Sequence, residues 1–302
     1  MADAMGFHGL LVIPVTGLDR TKRHQSAVAN IARRISAGSV LRICPSDLQN
    51  LSLGKNLDNL LKLLSLAPEQ IDLVADYQVV SEFNMPYTVL CDRVPYLSRW
   101  RTFTVIGGAF SENLTKYDKN GEYERPREDW LSWQSQVSAS NLRRLPTYGD
   151  YTIQYGVFKP PPERANVSAS IRYTAPQYWV IMRGEWLGNP DGPGYAQYAA
   201  RAKLLYQKKE FSGKEFSYGD TYIDRLRNRL DGTGSAETLL RAGINHHITL
   251  VVNQIASLYG TSTGGGLSRR QSPNQRPPQG ANKSAPVVYA ADPSSGLVRP
   301  AR

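Results

Sequence analysis

Four short apolar runs begin near residues 10, 39, 71 and 101, and this spacing narrows the choice of fold more than any other feature of the chain. The first run, Leu10 to Val15, is nearly continuous, as expected of a strand buried on both faces of a parallel sheet, whereas Arg101 to Ile106 alternates. Between the runs, Val28, Ile31, Ala32 and Ile35, and then Leu57, Leu60, Leu61 and Leu64, recur at three and four residues, which marks amphipathic helices. A repeat of roughly thirty residues is one strand-helix-strand step. The expected fold is therefore α/β, a partial (βα) barrel-like parallel array over residues 9–156. Parallel strands joined by right-handed crossovers either close into a barrel or open into a doubly wound sheet, and in both forms sites gather at the carboxyl ends of the strands.

The boundaries follow from local signals. Strands are expected over 10–16, 39–44, 71–75 ending at Asp76, 101–106 and 148–153. Residues 77–100 carry a weak helical pattern broken by Pro86 and Pro95. The charged stretch 111–125 reads as a loop, with Pro126 at the start of a helix whose buried face holds Trp130, Trp133 and Val137. Beyond Pro160-Pro161-Pro162 the rhythm changes, and an α+β C-terminal segment is expected over 157–260, with paired strands at 167–174 and 178–183 and helices at 195–207 and after Phe216. Asp220 reads as the cap of the latter helix. Asn245 reads as the cap of a last helix carrying Ile248, Val251, Val252 and Ile255. Residues 261–302 are rich in Gly, Ser, Pro, Gln and Arg and too poor in apolar side chains to order themselves.

The formal charge of +10 suggests nucleic acid until it is divided along the chain. Arg269, Arg270, Arg276, Lys283, Arg299 and Arg302 against Asp292 place half the excess in the tail, leaving a modest imbalance elsewhere. No signal sequence or membrane-spanning run is evident, so a cytoplasmic protein that does not enter the membrane is expected. Cys44 and Cys91 form no CxxC pattern, which argues for reduced thiols and against a cysteine-held zinc. No glycine-rich dinucleotide or phosphate-loop fingerprint follows any strand, so no nucleotide cofactor is supported and the cofactor stays unknown.

Among polar residues, Asp19, Arg20, Asp76 and Asp150 fall at strand ends, where they form a candidate ligand-binding set. Arg172 and Arg183, close to Tyr173 and Trp179, are candidates for contacts with an anionic ligand such as nucleic acid. Ordinary strand packing explains the aromatics more simply. Asp220, His246 and His247 are the candidate catalytic residues. Successive helical positions diverge by about 100°, so the two rings should not share one metal ion. The simplest reading leaves His247 in the core and His246 at the surface. No HxH, HExxH or DxD spacing supports a metal site.

These pieces also occur together in a recognisable order. Ile13-Pro14-Val15-Thr16-Gly17-Leu18-Asp19-Arg20, Tyr148-Gly149-Asp150-Tyr151, Ser170-Ile171-Arg172-Tyr173-Thr174, Trp179 with Arg183-Gly184, Phe216-Ser217-Tyr218-Gly219-Asp220 and Asn245-His246-His247 resemble the phage beta-protein family over about residues 9 to 260. The resemblance implies a barrel-like domain and a phage or mobile-element connection. It also implies that further strands precede the Pro-Val-Thr-Gly-Leu-Asp motif in relatives, which would leave an edge of this sheet open. Co-occurrence of the last two motifs suggests Asp220 as a buried partner for one of the histidines. Three functions fit: a non-catalytic or regulatory component of phage or antiphage systems, a metal-dependent phosphodiester hydrolase or nuclease, and a nucleic-acid-binding module.

Overall fold

In the computed structural model, which describes residues 12–139, 141–160, 167–230 and 232–260, the expected strand-helix rhythm becomes a five-stranded parallel sheet. Its first half runs β1 (Val15–Gly17), α1 (Lys22–Ile35), β2 (Ser39–Ile43), two helices α2 (Pro45–Gln49) and α3 (Leu53–Leu64), and β3 (Ile71–Val79). There follow α4 (Tyr87–Arg93), β4 (Thr102–Gly108), β5 (Glu122–Pro126), α5 (Glu128–Ser138) and β6 (Thr147–Asp150). The sheet order β1-β2-β3-β4-β6 follows the chain, and every neighbouring pair is parallel. Among the described residues the sheet is open, with β1 and β6 at its edges, so no barrel closes.

The helices form where the apolar spacing places them. Leu53, Leu57, Leu60, Leu61 and Leu64 make one buried stripe on α3, which packs with α1 and the sheet in the largest core cluster. Thr21 caps α1 by accepting from the His24 N–H, and Ser36 leaves the helix in the left-handed region at φ 52°. Gly38 then turns at φ +73°, close against the Gln70 carbonyl, a place where a side chain would clash. The third helix stops at Leu64, with left-handed Ser65 as its cap, ahead of Pro68.

Several boundaries differ from expectation. The start of the first expected strand lies outside the described residues, and β1 covers only Val15–Gly17. Strand β3 runs past Asp76 to Val79 with a shift of register between those two residues, so Asp76 sits at an irregularity and not at a terminus. The stretch 111–125 contains the start of β5, and Pro126 ends that strand instead of opening a helix. Strand β5 pairs antiparallel with β8 (Tyr178–Trp186), which also pairs with β7 (Ser168–Thr174), giving a second sheet of order β5-β8-β7. As an edge strand, β5 tolerates proline because its outer N–H groups need no ladder partner.

Helices α6 (Gln197–Tyr206), α7 (Tyr218–Arg227) and α8 (Ala236–Leu258) complete the described chain. Ser217, not Asp220, caps α7, and Asp220 sits in its first turn. Helix α8 is capped by Ser235, whose side chain accepts from the Thr238 N–H, ten residues before Asn245 is reached. Asn245 is therefore an interior residue of a 23-residue helix. Leu239, Ala242, Gly243, His246 and His247 are its buried positions over two turns, and this stripe puts both imidazoles inside, His246 included. The tail expected to be disordered lies outside the described residues.

Candidate functional site

At the carboxyl edge of the parallel sheet Arg42 is the hub of a network that takes in Asp76 alone of the expected strand-end residues. Its Nε donates to Asp76 Oδ2 at 2.5 Å, and Tyr151 Oη donates to the same oxygen at 2.5 Å. Asp76 Oδ1 accepts from the Gln78 N–H at 2.7 Å, closing a turn over the irregular end of β3. Asp76 is fully buried and its two oxygens accept these three bonds. Burial alone would weaken the Arg42 cation, but Asp76 and then Tyr151 more than offset it and hold its pKa above the ordinary value. Burial pushes the neighbouring Cys44 thiol up to about 12 despite Arg42, so it is a packed thiol and not a nucleophile. Asp19 pairs loosely with Arg20 at 3.5 Å, both near half-exposed.

The histidines belong to a different assembly, in which three elements meet. His246 Nδ1 lies 2.8 Å from Asp220 Oδ2, and its Nε2 lies 2.8 Å from the Thr174 carbonyl oxygen. A carbonyl oxygen can only accept, so Nε2 carries the hydrogen and Nδ1 shares a proton with Asp220. Asp220 also accepts from Tyr173 Oη at 2.7 Å and Ser217 Oγ at 2.6 Å, while Tyr173 Oη accepts from the Ser212 N–H at 2.9 Å. The Tyr173 ring stacks on His246 at 3.9 Å between centroids. On the adjacent position His247 points elsewhere, as helical geometry requires: its Nε2 donates to Asp150 Oδ2 at 2.8 Å and its Nδ1 meets Thr174 Oγ1 at 3.0 Å. Asn245 Oδ1 accepts from the Gly219 N–H at 2.8 Å.

Three consecutive residues of α8 thus hold α7, β7 and the end of β6. Motifs that stand far apart in the sequence meet here, Tyr148 to Tyr151, Ser170 to Thr174, Phe216 to Asp220 and Asn245 to His247. A family model described as Beta protein matches residues 1–253, most of the chain. The chain belongs to the Beta protein family. No curated protein and no solved structure matches it.

Of the expected ligand-binding arginines, Arg172 and Arg183 bond to loop carbonyls. Arg172 donates to the Ile153 carbonyl at 3.0 Å with its guanidinium over Phe110, and burial lowers its pKa to about 10. Arg183 donates to the carbonyls of Leu114, at 2.6 Å, and Tyr117, which ties down the start of the 111–125 stretch. Asp150 and Asp76 likewise serve separate networks. Among the described residues, no three His, Cys, Asp or Glu side chains converge as a metal would require.

Arg127 and Asp129 are two of the buried charges that escaped the sequence reading. Arg127 is fully buried at the foot of α5, where its Nη1 donates to the Pro176 carbonyl at 3.1 Å and Gln254 Oε1 at 2.9 Å. Its Nε and Nη2 have no hydrogen-bond partner among the described residues. Asp129 accepts from Tyr148 Oη at 3.2 Å, with Oδ1 unpartnered. Burial, and then the Asp150 charge, raise the Asp129 carboxyl from 3.8 to about 7. Burial also acts on Asp150, but His247 outweighs it and holds that carboxyl below its ordinary range. Their charged surroundings in sequence resemble a solvated surface, and only the aromatic character of Trp130 and Tyr148 hinted otherwise.

The Asp129 shift makes a testable statement about stability. Its folded pKa lies above the unfolded one, so its contribution favours the folded state at low pH and is lost as pH rises from about 3.8 to about 7. The loss amounts to ~1.4 kcal/mol per unit across that window. Asp129→Asn should therefore gain on the wild type as pH rises from 4 to 8 in paired urea melts. A constant difference between the two proteins across that range would contradict the assignment.

Proposed function

We infer that this Beta protein acts by binding and not by catalysis, as a regulatory or structural component of the phage or mobile-element systems to which its family resemblance points. One observation carries the reading: the residues best suited to acid–base chemistry are consumed by the interior. The side chains of His246, His247, Asp220 and Asp150 are 1%, 1%, 0% and 7% exposed. Each carboxylate is engaged on both oxygens, so no substrate could reach them without first breaking the helix α8 contacts. The same bonds are what a structural latch requires, because buried polar groups persist only when they are paired.

The main alternative is a metal-dependent phosphodiester hydrolase, which would draw on Asp19, Asp76 and Asp150, and the other is a nucleic-acid-binding module assisted by the basic residues after position 260. Among the described residues no helix is long and apolar enough to cross a membrane. The deciding assay incubates the full chain with single- and double-stranded DNA and RNA in magnesium or manganese. Intact substrates are expected. Cleavage that disappears in an Asp150→Asn variant still melting cooperatively would replace the binding reading with the hydrolase. Binding of nucleic acid that weakens steeply with salt would select the third reading.

A further inference from the structure

Beyond the ends of β3 and β4 the surface holds a cleft of about 270 Å³, on the edge of the sheet where open α/β folds take their ligands. Its walls come from residues 79–82, the stretch 109–116, Arg125 and Tyr155. The charges there are not all neutralised internally. Glu112 is bound by Lys159 at 2.8 Å, and Glu82 accepts from Tyr155 Oη at 2.7 Å. Among the described residues the Arg125 guanidinium makes one hydrogen bond, Nε to the Ala109 carbonyl at 2.8 Å, which leaves both terminal nitrogens of the fork unused there. Lys116 is exposed, with its Nζ 5.2 Å from the Tyr117 ring centroid and no carboxylate partner among the described residues. Ser111 Oγ is buried without a hydrogen-bond partner.

These three donors have the composition of an oxyanion site: a planar fork suited to two oxygens, a point charge and a hydroxyl. Glu82 and Tyr155 Oη on the other wall can meet hydroxyl groups. The volume falls just under the range typical of drug-sized ligands, which limits the occupant to something small. We propose that the cleft of Arg125, Lys116 and Ser111 binds a small phosphorylated polyhydroxyl compound, phosphate against the two cations and hydroxyls toward Glu82 and Tyr155. The site deepens the reading of a binding protein and rests on it. Its failure is separately visible, because nucleic-acid cleavage would overturn that reading without altering phosphate binding.

The test is calorimetric titration of the full chain with ribose 5-phosphate, with ribose, inorganic phosphate and citrate as comparison probes. Saturable binding at one site is expected, displaced by inorganic phosphate and absent for ribose. Arg125→Gln should weaken it at least tenfold, and so should Lys116→Ala, whose exposed position keeps the fold intact even if the arginine variant unfolds. No saturable binding would overturn the proposal, as would equal affinity in Lys116→Ala. Binding of citrate in preference to both phosphates would reject a phosphate ligand.

Discussion

Replacing Asp220 with alanine is expected to lower the melting temperature by roughly 6–20 °C. Removing one member of a buried pair costs roughly 3–5 kcal/mol, because the partner is left inside without compensation. At about 2–4 °C per kcal/mol for a chain of this size, that range follows. Three donors lose their acceptor together, His246 Nδ1, Tyr173 Oη and Ser217 Oγ. Asp220→Asn should recover more than half of the loss. Its amide oxygen can accept from Tyr173 while its NH₂ donates to a neutral His246, whose Nε2 keeps its hydrogen for Thr174. Thermal melting of the two variants beside the wild type decides the matter, and an unchanged Asp220→Ala melt would remove the pair from any account of stability.

Gly219→Ala should be nearly as damaging, although alanine is ordinarily the better helix former by about 1 kcal/mol. Helices α7 and α8 approach so closely that a Cβ at Gly219 would be driven into the carbonyl oxygen of Ala242, a backbone atom that cannot swing aside. The helices must separate, and with them go the Asn245 bond to the Gly219 N–H and the seat of His246. Overpacking of this kind costs roughly 3 kcal/mol, the upper part of its usual range, and so roughly 6–12 °C. Gly54→Ala supplies the control, since nothing lies within 4 Å of a Cβ there and α3 should be unaffected or slightly firmer. Equal melting temperatures for the two variants would show that the α7–α8 approach is not rigid.

The parallel half of the fold was legible because its strands recur about every thirty residues, as a continuous apolar run at Leu10 to Val15 and an alternating one at Arg101 to Ile106, and the helices between them kept their apolar residues at helical spacing. Strand β5 was not, since Glu122-Tyr123-Glu124-Arg125-Pro126 alternates between exposed and half-buried positions and carries no apolar face. The pairing of Asp220 with a histidine was suggested by motifs occurring together, but the burial of His246 was missed for a local reason. Asn245 has the chemistry of a helix cap, and taking it as one hid the earlier start at Ser235, and with it the stripe from Leu239 to His247. Its side chain does accept a helix N-terminal N–H, that of Gly219 on a neighbouring helix. The strand-end aspartates were placed near the sheet edge but not together, because only tertiary contacts assign Asp76 to Arg42 and Asp150 to His247.

The span of the histidine bonds bears on how the chain is made. His247 meets Asp150 across 97 residues of sequence, and His246 reaches back 72 residues to Thr174. At roughly 5–20 residues per second of synthesis, the strand that ends in Asp150 waits for roughly 5–20 s before its imidazole partner leaves the ribosome. During that interval the Asp150 carboxylate lacks the imidazole with which it is paired in the folded chain. Slowing translation between residues 150 and 247 should thus reduce the soluble yield, whereas slowing it after residue 260 should not.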